Sequence, residues 1–371
     1  MSTGFDSGIS RRKARHLEIC VDSGRYSIEG GGSRLEEVAL LHRALPELNE
    51  LAVDTSIDFL GHRMSLPLLI SCMTGGSEGG GMVNRALAAA AQEARIAVGT
   101  GSIRILFSDE ELIDQFRLKS LAPDVPVIAN LGAVQLRELG RDRVIEVLRR
   151  LEVQALALHL NAAQELFQDE GDRDFRGLLD AIAGLCESSP IPIIVKETGF
   201  GILPSEVEAL LDKGVAFVDL AAAGGTNWVL VESYRLAGQE SIAARDFEDW
   251  GLPIALLLLA LSRRRAGEGA KVPRRSSLIA SGGLRSGLDL AKSLALGAEL
   301  GAIALPFARA AHAGGKEAVL GLVRGLERSL RAAMTLTGCA DLAALRSTAL
   351  MVGTALSADA EELLRAERSG G

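Results

Sequence analysis

The sequence predicts an α/β fold, a TIM (β/α)8 barrel, and three observations lead to that prediction. Eight short runs rich in Val, Ile, Leu and Ala follow residue 66, and each run is almost continuously apolar. Strands show this pattern when they form a parallel sheet that helices cover. Longer amphipathic stretches alternate with the runs, as βα units require. Many runs end in small or polar residues, whereas a doubly wound sheet more often has one glycine-rich fingerprint near its start, so the barrel is favoured.

Each predicted strand is one of these apolar runs together with the first residues of the turn that follows it. In chain order the strands are Pro67–Thr74, Ile96–Ser102, Val125–Leu131, Ala155–Asn161, Pro192–Gly199, Ala216–Ala222, Ser277–Gly283 and Leu300–Pro306. Five stretches between them have apolar residues at helical spacing. These predicted helices are Asn84–Ala94, Asp142–Leu151, Phe175–Glu187, Ser205–Lys213 and Leu288–Leu296.

Two regions outside the repeat set the predicted domain organisation. Residues 1–66 form an N-terminal extension that contributes a substrate clamp, and residues 67–371 form the barrel with C-terminal helices. Residues 224–276 are a long insertion between the sixth and seventh strands, and a loop of this length on a barrel is usually a lid or an interface. Within it, Ile254–Leu261 is too short to span a bilayer and predicts a buried helix. The role of the basic stretch 263–275 stays open.

Composition argues against several functional classes. The 371 residues carry a net charge of −8 and only 4% aromatic residues, so neither broad electrostatic binding to nucleic acid nor base stacking is expected. Four cysteines, far apart and without a CxxC pair, predict reduced thiols rather than a disulfide framework or a zinc site. The N-terminus lacks the apolar core of a secretory signal. We therefore expect a cytoplasmic protein without membrane insertion.

Chemistry is expected where the strands end, because barrel active sites form at the carboxyl ends of the strands. The loops after the seventh and eighth strands, Ser281–Arg285 and Ala304–Leu305, are suited to binding phosphate through backbone amides. Lys196 ends the fifth strand, where an inward ammonium needs a partner. Three interpretations stay open for it: a contact with a flavin, a Schiff base, or an ion pair with Glu197 or Asp219.

A compact polar set follows the fourth strand and consists of His159, Asn161, Gln164 and Glu165. His159 and Asn161 point the same way, because side chains alternate along a strand. The set has too few nitrogen and sulfur ligands for zinc, whereas one carboxylate plus substrate oxygens suits Mg²⁺ on a diphosphate. The structural alternative for His159 is a hydrogen-bonded histidine of the core.

A cationic group combines the extension with the second strand. Arg12, Lys13 and His16 either belong to a solvated tail or fold over the barrel mouth, where Arg12 and Lys13 could clamp a diphosphate. Arg104, just after the second strand, can reach the same anion. Together with the phosphate-binding loops, these residues predict one large polar ligand or two ligands side by side.

A series of short stretches, in order from residue 12 to about residue 310, carries a resemblance to one family. The stretches are RKARH, HRALPE, MTGGSE, GSIR, IANLGAVQL, LHLNAAQELFQDEGDRDF, IIVKETGFGI, AAAGGTNW, DWGLP, IASGGLRSG and ALPFARAA. With them the sequence resembles the type 2 isopentenyl-diphosphate Δ-isomerases, FMN-dependent enzymes of isoprenoid biosynthesis. LTGC, at residues 336–339, extends the likeness into the C-terminal helices.

The resemblance implies a role for most of these positions. The implied FMN-binding residues are Met73, Thr74, Gly75, Ser102, Asn130, Lys196, Thr226, Gly283, Leu284, Arg285, Ala304 and Leu305. The implied substrate-binding residues are Arg12, Lys13, Ser102, Ile103, Arg104 and Gln164, and the implied catalytic set is Gln164, His159 and Asn161. Glu165 would bind Mg²⁺. The resemblance further implies that FMN works in its reduced form with NADPH or NADH as reductant, that the substrate is a prenyl diphosphate, and that the protein is a homo-oligomer.

Two positions depart from the family pattern, and two alternatives to the isomerase remain. Arg15 stands where an acidic residue is usual, and Ile103 stands where glutamine is usual, so contacts with diphosphate or flavin are expected to be looser.

An FMN-dependent 2-hydroxyacid oxidase or dehydrogenase shares the barrel and the strand-five lysine, but it needs a histidine base after the sixth strand. Ala221–Asn227 contains none. The second alternative is a flavin-binding barrel that has lost catalysis.

Overall fold

The computed structural model describes residues 4–267 and 277–369, and a barrel of parallel strands lies at its centre. The strands of this described part are β1 (Val38–Leu40), β2 (Ile57–Phe59), β3 (His62–Met64), β4 (Leu68–Ile70), β5 (Ala97–Ser102), β6 (Val127–Gly132), β7 (Ala155–His159), β8 (Ile193–Lys196), β9 (Phe217–Asp219), β10 (Leu278–Ala280), β11 (Leu300–Ile303) and β12 (Leu350–Val352).

Helices pack around the barrel and at both ends of the chain. They are α1 (Gly4–Val21), α2 (Glu78–Ala94), α3 (Ala133–Leu139), α4 (Arg141–Leu151), α5 (Ala162–Leu166), α6 (Leu178–Ser188), α7 (Pro204–Asp212), α8 (Trp228–Ser233), α9 (Gly238–Arg245), α10 (Ile254–Gly267), α11 (Gly287–Ala295), α12 (Leu305–Thr337), α13 (Leu342–Arg346) and α14 (Thr354–Ser369).

The predicted TIM barrel is confirmed. Strands β4 to β11 pair in chain order, all in parallel, and β11 pairs with β4 to close the barrel, with Gly301 opposite Leu68 and Ile303 opposite Ile70. Seven of the eight predicted apolar runs contain one barrel strand each, and the third, Val125–Leu131, covers all of β6 except its last residue, Gly132. Most runs are longer than the strands because the prediction included the turn residues that follow the strand, whereas the runs for β5 and β6 begin before the strand.

Helix ends differ from the prediction where glycines or turns obscure the pattern. Helix α2 begins at Glu78 rather than Asn84, because the Ser77 side chain accepts a hydrogen bond from the Gly80 amide and caps the first turn. The glycines of this turn disfavour a helix on propensity alone. Gly80 is nevertheless required here, since a Cβ on it would lie 2.9 Å from Thr74 Oγ1. Helix α6 begins at Leu178 rather than Phe175.

The N-terminal extension is tied to both ends of the barrel domain. Helix α1 packs on α2, α8 and α12, and it carries the basic cluster predicted in this region. Strand β1 pairs antiparallel with β12, with Val38 opposite Val352. Residues 10–66 therefore pack against the rest of the chain, while the predicted domain boundary at residue 67 stays a prediction.

The insertion between the sixth and seventh barrel strands contains α8, α9 and α10. The apolar run Ile254–Leu261 forms most of α10 and is buried, which confirms the predicted buried helix. Arginines at its end fasten it to neighbouring helices: Arg263 Nη1 donates to the Ser357 carbonyl at 2.6 Å, and Arg265 Nε donates to Glu208 at 2.9 Å. Residues 268–275 of the basic stretch lie outside the described residues. No helix of the described part is long and apolar enough to cross a bilayer.

We expect Leu258→Ala to lower the free energy of unfolding by about 2–5 kcal/mol, because its fully buried side chain packs in the main core and its truncation leaves a cavity. Chemical denaturation followed by circular dichroism measures this change. Leu51→Ala is the matched control, since Leu51 is 89% exposed and its truncation should change stability by less than about 0.5 kcal/mol. A Leu258→Ala protein as stable as the control would mean that α10 is a detachable lid.

Candidate active site

Two cavities meet at the carboxyl ends of the barrel strands. The first contains about 1030 Å³ of empty space and lies beneath α1. The second contains about 570 Å³ and lies against the loops after β10 and β11. Five residues line both cavities: Cys72, Met73, Lys196, Thr198 and Trp228. The site can therefore hold two ligands in contact, or one ligand that reaches from one cavity to the other.

The smaller cavity is an anion cradle made of backbone. Gly282 and Gly283 have φ angles of +105° and +86°, which side chains rarely adopt. A Cβ on Gly282 would lie 2.1 Å from the Ala222 carbonyl oxygen, so only glycine permits this approach. Helix α12 starts at Leu305 beside this turn, and its first amides have no partner within the helix. Such a helix start attracts a phosphate group.

Charged side chains at the edge of this cradle are already paired with one another. Arg285 lines the cradle and donates to the carboxylate of Glu29, whose other oxygen lies 3.7 Å from Arg309 Nη1. Burial and the charge of Arg309 lower the pKa of Arg285 from its ordinary value. Glu29 thus bridges two arginines at the edge of the cradle.

The larger cavity concentrates positive charge from two elements. Arg12 and Lys13 come from α1, and Arg104 follows β5. Lys13 Nζ donates to the Ser102 carbonyl at 2.9 Å and lies 5.8 Å from the centre of the Phe116 ring. Burial, with the charges of Arg12 and Arg104, lowers the pKa of Lys13 to about 7. These three cations repel one another, so an anionic ligand such as a diphosphate would stabilise their arrangement.

His159 is neutral at physiological pH in this site. Its Nδ1 lies 2.6 Å from Asn130 Oδ1, and since a carbonyl oxygen only accepts, the ring hydrogen is on Nδ1. Burial and the charges of Lys196, Arg104 and Lys13 lower the pKa of His159 to about 3. The lone pair on Nε2 therefore makes His159 a hydrogen-bond acceptor rather than a cation.

Glu165 fits one ligand position of a magnesium site. Its side chain is 4% exposed, and its carboxylate accepts hydrogen bonds from Asn161 Nδ2 at 2.9 Å and from the Asp172 amide at 3.0 Å. In residues 4–267 and 277–369 no group of three His, Cys, Asp or Glu side chains could hold a metal ion. A cation here would need oxygens of the substrate and of water, which is how Mg²⁺ is usually bound beside phosphates.

Glu232 is a site residue that sequence reasoning missed. It lies on α8 with its side chain 1% exposed, and its Oε1 accepts from Gln164 Nε2 at 2.9 Å and lies 2.9 Å from His16 Nε2. Burial raises its pKa, but the hydrogen bond and charge of His16, with the charge of Arg235, lower the pKa below its ordinary value overall. A carboxylate in an otherwise apolar helical turn, WVLVES, is the signal that could have indicated it.

Lys196 ends β8 and faces both cavities, with its Nζ donating to the Glu197 carbonyl at 2.6 Å. Asp219, at the end of the neighbouring strand β9, is buried and accepts from Ser281 Oγ. Burial raises the pKa of Asp219, although the charge of Lys196 lowers it in part. The three interpretations of Lys196, a contact with a flavin, a Schiff base and an ion pair, stay predictions.

The structure brings together almost all of the predicted site residues. Those lining the larger cavity are Arg12, Lys13, Met73, Thr74, Gly75, Ser102, Arg104, Asn130, His159, Asn161, Gln164, Glu165 and Lys196. Those lining the smaller cavity include Met73, Lys196, Thr226, Gly283, Leu284, Arg285, Ala304 and Leu305.

The two positions that depart from the family pattern both point away from the cavities. Ile103 is fully buried in the main hydrophobic core, and it does not line either cavity. Its side chain therefore lies outside the lining of both cavities, and the substrate-binding role that the resemblance implies for Ile103 stays a prediction. Arg15 is paired with Glu18 at 2.6 Å and stacks on Tyr26. Neither side chain thus alters the walls of the site.

Comparisons with known proteins agree with this geometry. Residues 141–352 match the family described as FMN-dependent dehydrogenase. Relatives described as isopentenyl-diphosphate delta-isomerase include one from Borrelia garinii subsp. bavariensis, 40% identical over 356 residues, which cover 96% of this chain and 97% of the relative. Another, from Methanosarcina acetivorans, is 42% identical over 348 residues, which cover 92% of each chain.

Solved structures share the fold at low sequence identity. A mandelate oxidase with a monooxide FMN adduct has a TM-score of 0.60 and 17% identity, and the match covers 91% of this chain and 92% of that one. A lactate oxidase of Pediococcus acidilactici has a TM-score of 0.63 and 15% identity, and the match covers 94% of both chains. These two likenesses support the barrel fold alone.

We expect the affinity for inorganic diphosphate to fall as the pH rises through about 7, because Lys13, with its pKa lowered to about 7, is charged below this pH and neutral above it. Loss of a hydrogen bond from a charged donor weakens binding roughly 10- to 100-fold. Isothermal titration calorimetry from pH 6 to 9 in several buffers measures both affinity and proton uptake. Lys13→Met should bind weakly throughout without that proton uptake, and Lys213→Met, at an exposed position, is the control. Equal proton uptake in Lys13→Met would contradict this assignment.

Proposed function

The chain belongs to the FMN-dependent, type 2 isopentenyl-diphosphate delta-isomerase family, and we propose that it interconverts isopentenyl diphosphate and dimethylallyl diphosphate. The observation that carries this proposal is the contact between a phosphate-type cradle and a cationic cavity through shared wall residues. One cavity suits the phosphate of FMN, and the other suits the diphosphate of a substrate lying against the flavin.

The residues of the smaller cavity fit FMN. The glycine turn at Gly282 and Gly283 and the start of α12 at Leu305 would receive its phosphate, with Arg285 beside them. Lys196, which faces both cavities, would contact the ring. When bound and reduced by NADPH or NADH, FMN supplies an electron-rich ring that stabilises positive charge on a neighbouring carbon and exchanges a proton with it.

The residues of the larger cavity fix the diphosphate end of the substrate. Arg12, Lys13 and Arg104 surround the anion with positive charge, and Glu165 would hold Mg²⁺ on its oxygens. Neutral His159 is suited to accept a hydrogen bond from a metal-bound water or from a protonated phosphate oxygen. Binding energy from this end places the alkene at the wall that the two cavities share.

The reaction adds a proton at the terminal methylene carbon and removes one from the carbon beside the phosphate-bearing carbon, so the double bond moves by one position. An unactivated alkene is a poor base, and a tertiary cation-like state needs stabilisation. Gln164 lies beside this region, with its Nε2 held by Glu232. Asn161 donates to both Gln164 and Glu165, which links the positioning of the amide to that of the metal. Such fixed polar groups hold the substrate in one orientation.

The 2-hydroxyacid oxidase alternative lacks its base in this site. That chemistry needs a histidine after the sixth barrel strand, and residues 221–227 contain none. The histidines that line the cavities within the described residues are His16 on α1 and His159 at the end of β7. Glu232 holds His16, and Asn130 holds His159. We also propose that the protein is a homo-oligomer, as the resemblance implies, and that it lies in the cytoplasm, as the sequence predicts.

The deciding experiment is an anaerobic assay in D₂O with FMN, excess dithionite or NADPH, Mg²⁺ and isopentenyl diphosphate. Deuterated dimethylallyl diphosphate should form, as followed by NMR, only when the flavin is reduced. Lactate and glycolate serve as control substrates and should leave oxidised flavin unchanged. A protein that binds no FMN contradicts the proposal, and one that binds FMN but forms no product is the catalytically silent barrel.

We expect Glu165→Gln to weaken Mg²⁺ binding at least about tenfold in the presence of diphosphate, because an amide is a poorer ligand for a hard cation than a carboxylate. Turnover at fixed Mg²⁺ should fall accordingly, while FMN absorbance on binding should match the unmodified protein. Asp169→Asn, on the exposed segment that follows, is the matched control and should leave Mg²⁺ affinity unchanged. Unaltered Mg²⁺ dependence in Glu165→Gln would show that the metal binds elsewhere.

A further inference from the structure

Thr198 has a buried hydroxyl without a partner at the junction of the two cavities. Its Oγ1 is inaccessible to solvent and has no hydrogen-bond partner within the described residues. The residue lines both cavities, as Lys196 does. Leaving a buried hydroxyl unpaired costs about 1–3 kcal/mol, so such a group in a ligand site indicates a partner supplied by the ligand.

Hydrogen bonds and close packing fix the backbone around Thr198. The carboxylate of Glu197 accepts hydrogen bonds from the amides of Thr198, Gly199 and Phe200 at 2.5, 2.6 and 2.6 Å. A Cβ on Gly199 would lie 2.3 Å from the Thr226 carbonyl oxygen, so the loop also packs tightly against the loop after β9. Three amides bound to one carboxylate hold this turn in a single conformation.

We propose that Thr198 is a flavin-positioning residue whose hydroxyl donates a hydrogen bond to the isoalloxazine ring of bound FMN and favours its reduced, electron-rich form. This inference rests on the proposed function. A ligand that extends from the phosphate cradle to the cationic cavity must pass Thr198, Lys196 and Trp228, because these residues line both. Lys196 brings a positive charge, and Thr198 adds a neutral donor close to it in sequence. Donors beside the polar edge of the ring stabilise the additional electron density of the reduced state.

The test compares Thr198→Val, which keeps the shape and removes the hydroxyl, with Thr198→Ser, which keeps the hydroxyl. Dissociation constants for oxidised and reduced FMN are measured by fluorescence and anaerobic absorbance titration, and the reduction potential of bound FMN is measured with reference dyes. We expect Thr198→Val to bind reduced FMN about three- to tenfold more weakly, as the loss of one neutral hydrogen bond predicts, and to shift the potential to more negative values. Thr198→Ser should match the unmodified protein in both readouts.

Three outcomes would overturn the inference while leaving the proposed function intact. In one, Thr198→Val binds both forms of FMN as tightly as the unmodified protein and at the same potential. In another, Thr198→Ser changes as much as Thr198→Val, so the methyl packing and not the hydroxyl matters. In the third, flavin binding is unchanged while KM for isopentenyl diphosphate rises, which assigns the hydroxyl to the substrate. The proposed function fails separately, when the unmodified protein binds no FMN.

Discussion

Closure of the barrel between β11 and β4 is the interaction on which the rest of the site depends. The backbone of β11 pairs with that of β4, and the Ser71 amide donates to the Ile303 carbonyl at 2.9 Å just beyond the paired residues. Because the strands are parallel, both leave the barrel at the same rim. The phosphate-type cradle after β11 and the loop after β4 therefore become neighbours, although more than 200 residues separate them in the chain. Cys72 and Met73, two of the five residues that line both cavities, belong to this loop after β4.

Electrostatics at this rim are unfavourable in the absence of ligand. Lys13 lies beside Arg12 and Arg104, and burial together with their repulsion lowers its pKa to about 7. Glu232 and Glu165 contribute negative charge nearby, but both are engaged in hydrogen bonds. The barrel core and the packing of α1 thus hold together charges that would separate in water. Stability is given up where function needs pre-organised charge, as is common at binding sites.

Much of the fold and of the site could be predicted from the sequence, because the signals were local. The barrel strands are buried on both faces, so each one is visible as a continuous apolar run, and the site residues follow directly from the strand ends. Glu232 and Thr198 were not assigned, and His16 was assigned only to the cationic group, because their roles depend on tertiary packing. Glu232 and His16 meet only when α1 packs on α8. The role of Thr198 is indicated only because its hydroxyl has no hydrogen-bond partner within the described residues. Likewise, the residues next to Ile103 in the sequence do not indicate that its side chain lies in the core and not in a cavity wall.

Glu29 neutralises part of the positive charge beside the cradle before FMN binds. Its carboxylate lies between Arg285 and Arg309, so the protein supplies its own counter-ion beside the cradle. Cofactor capture is then an exchange of one anion for another rather than the filling of a bare cationic site. A phosphate group that binds Arg285 would have to displace the Glu29 carboxylate from that arginine. Glu29 therefore reduces the positive charge at the edge of the cradle from a position outside the lining of the cavity.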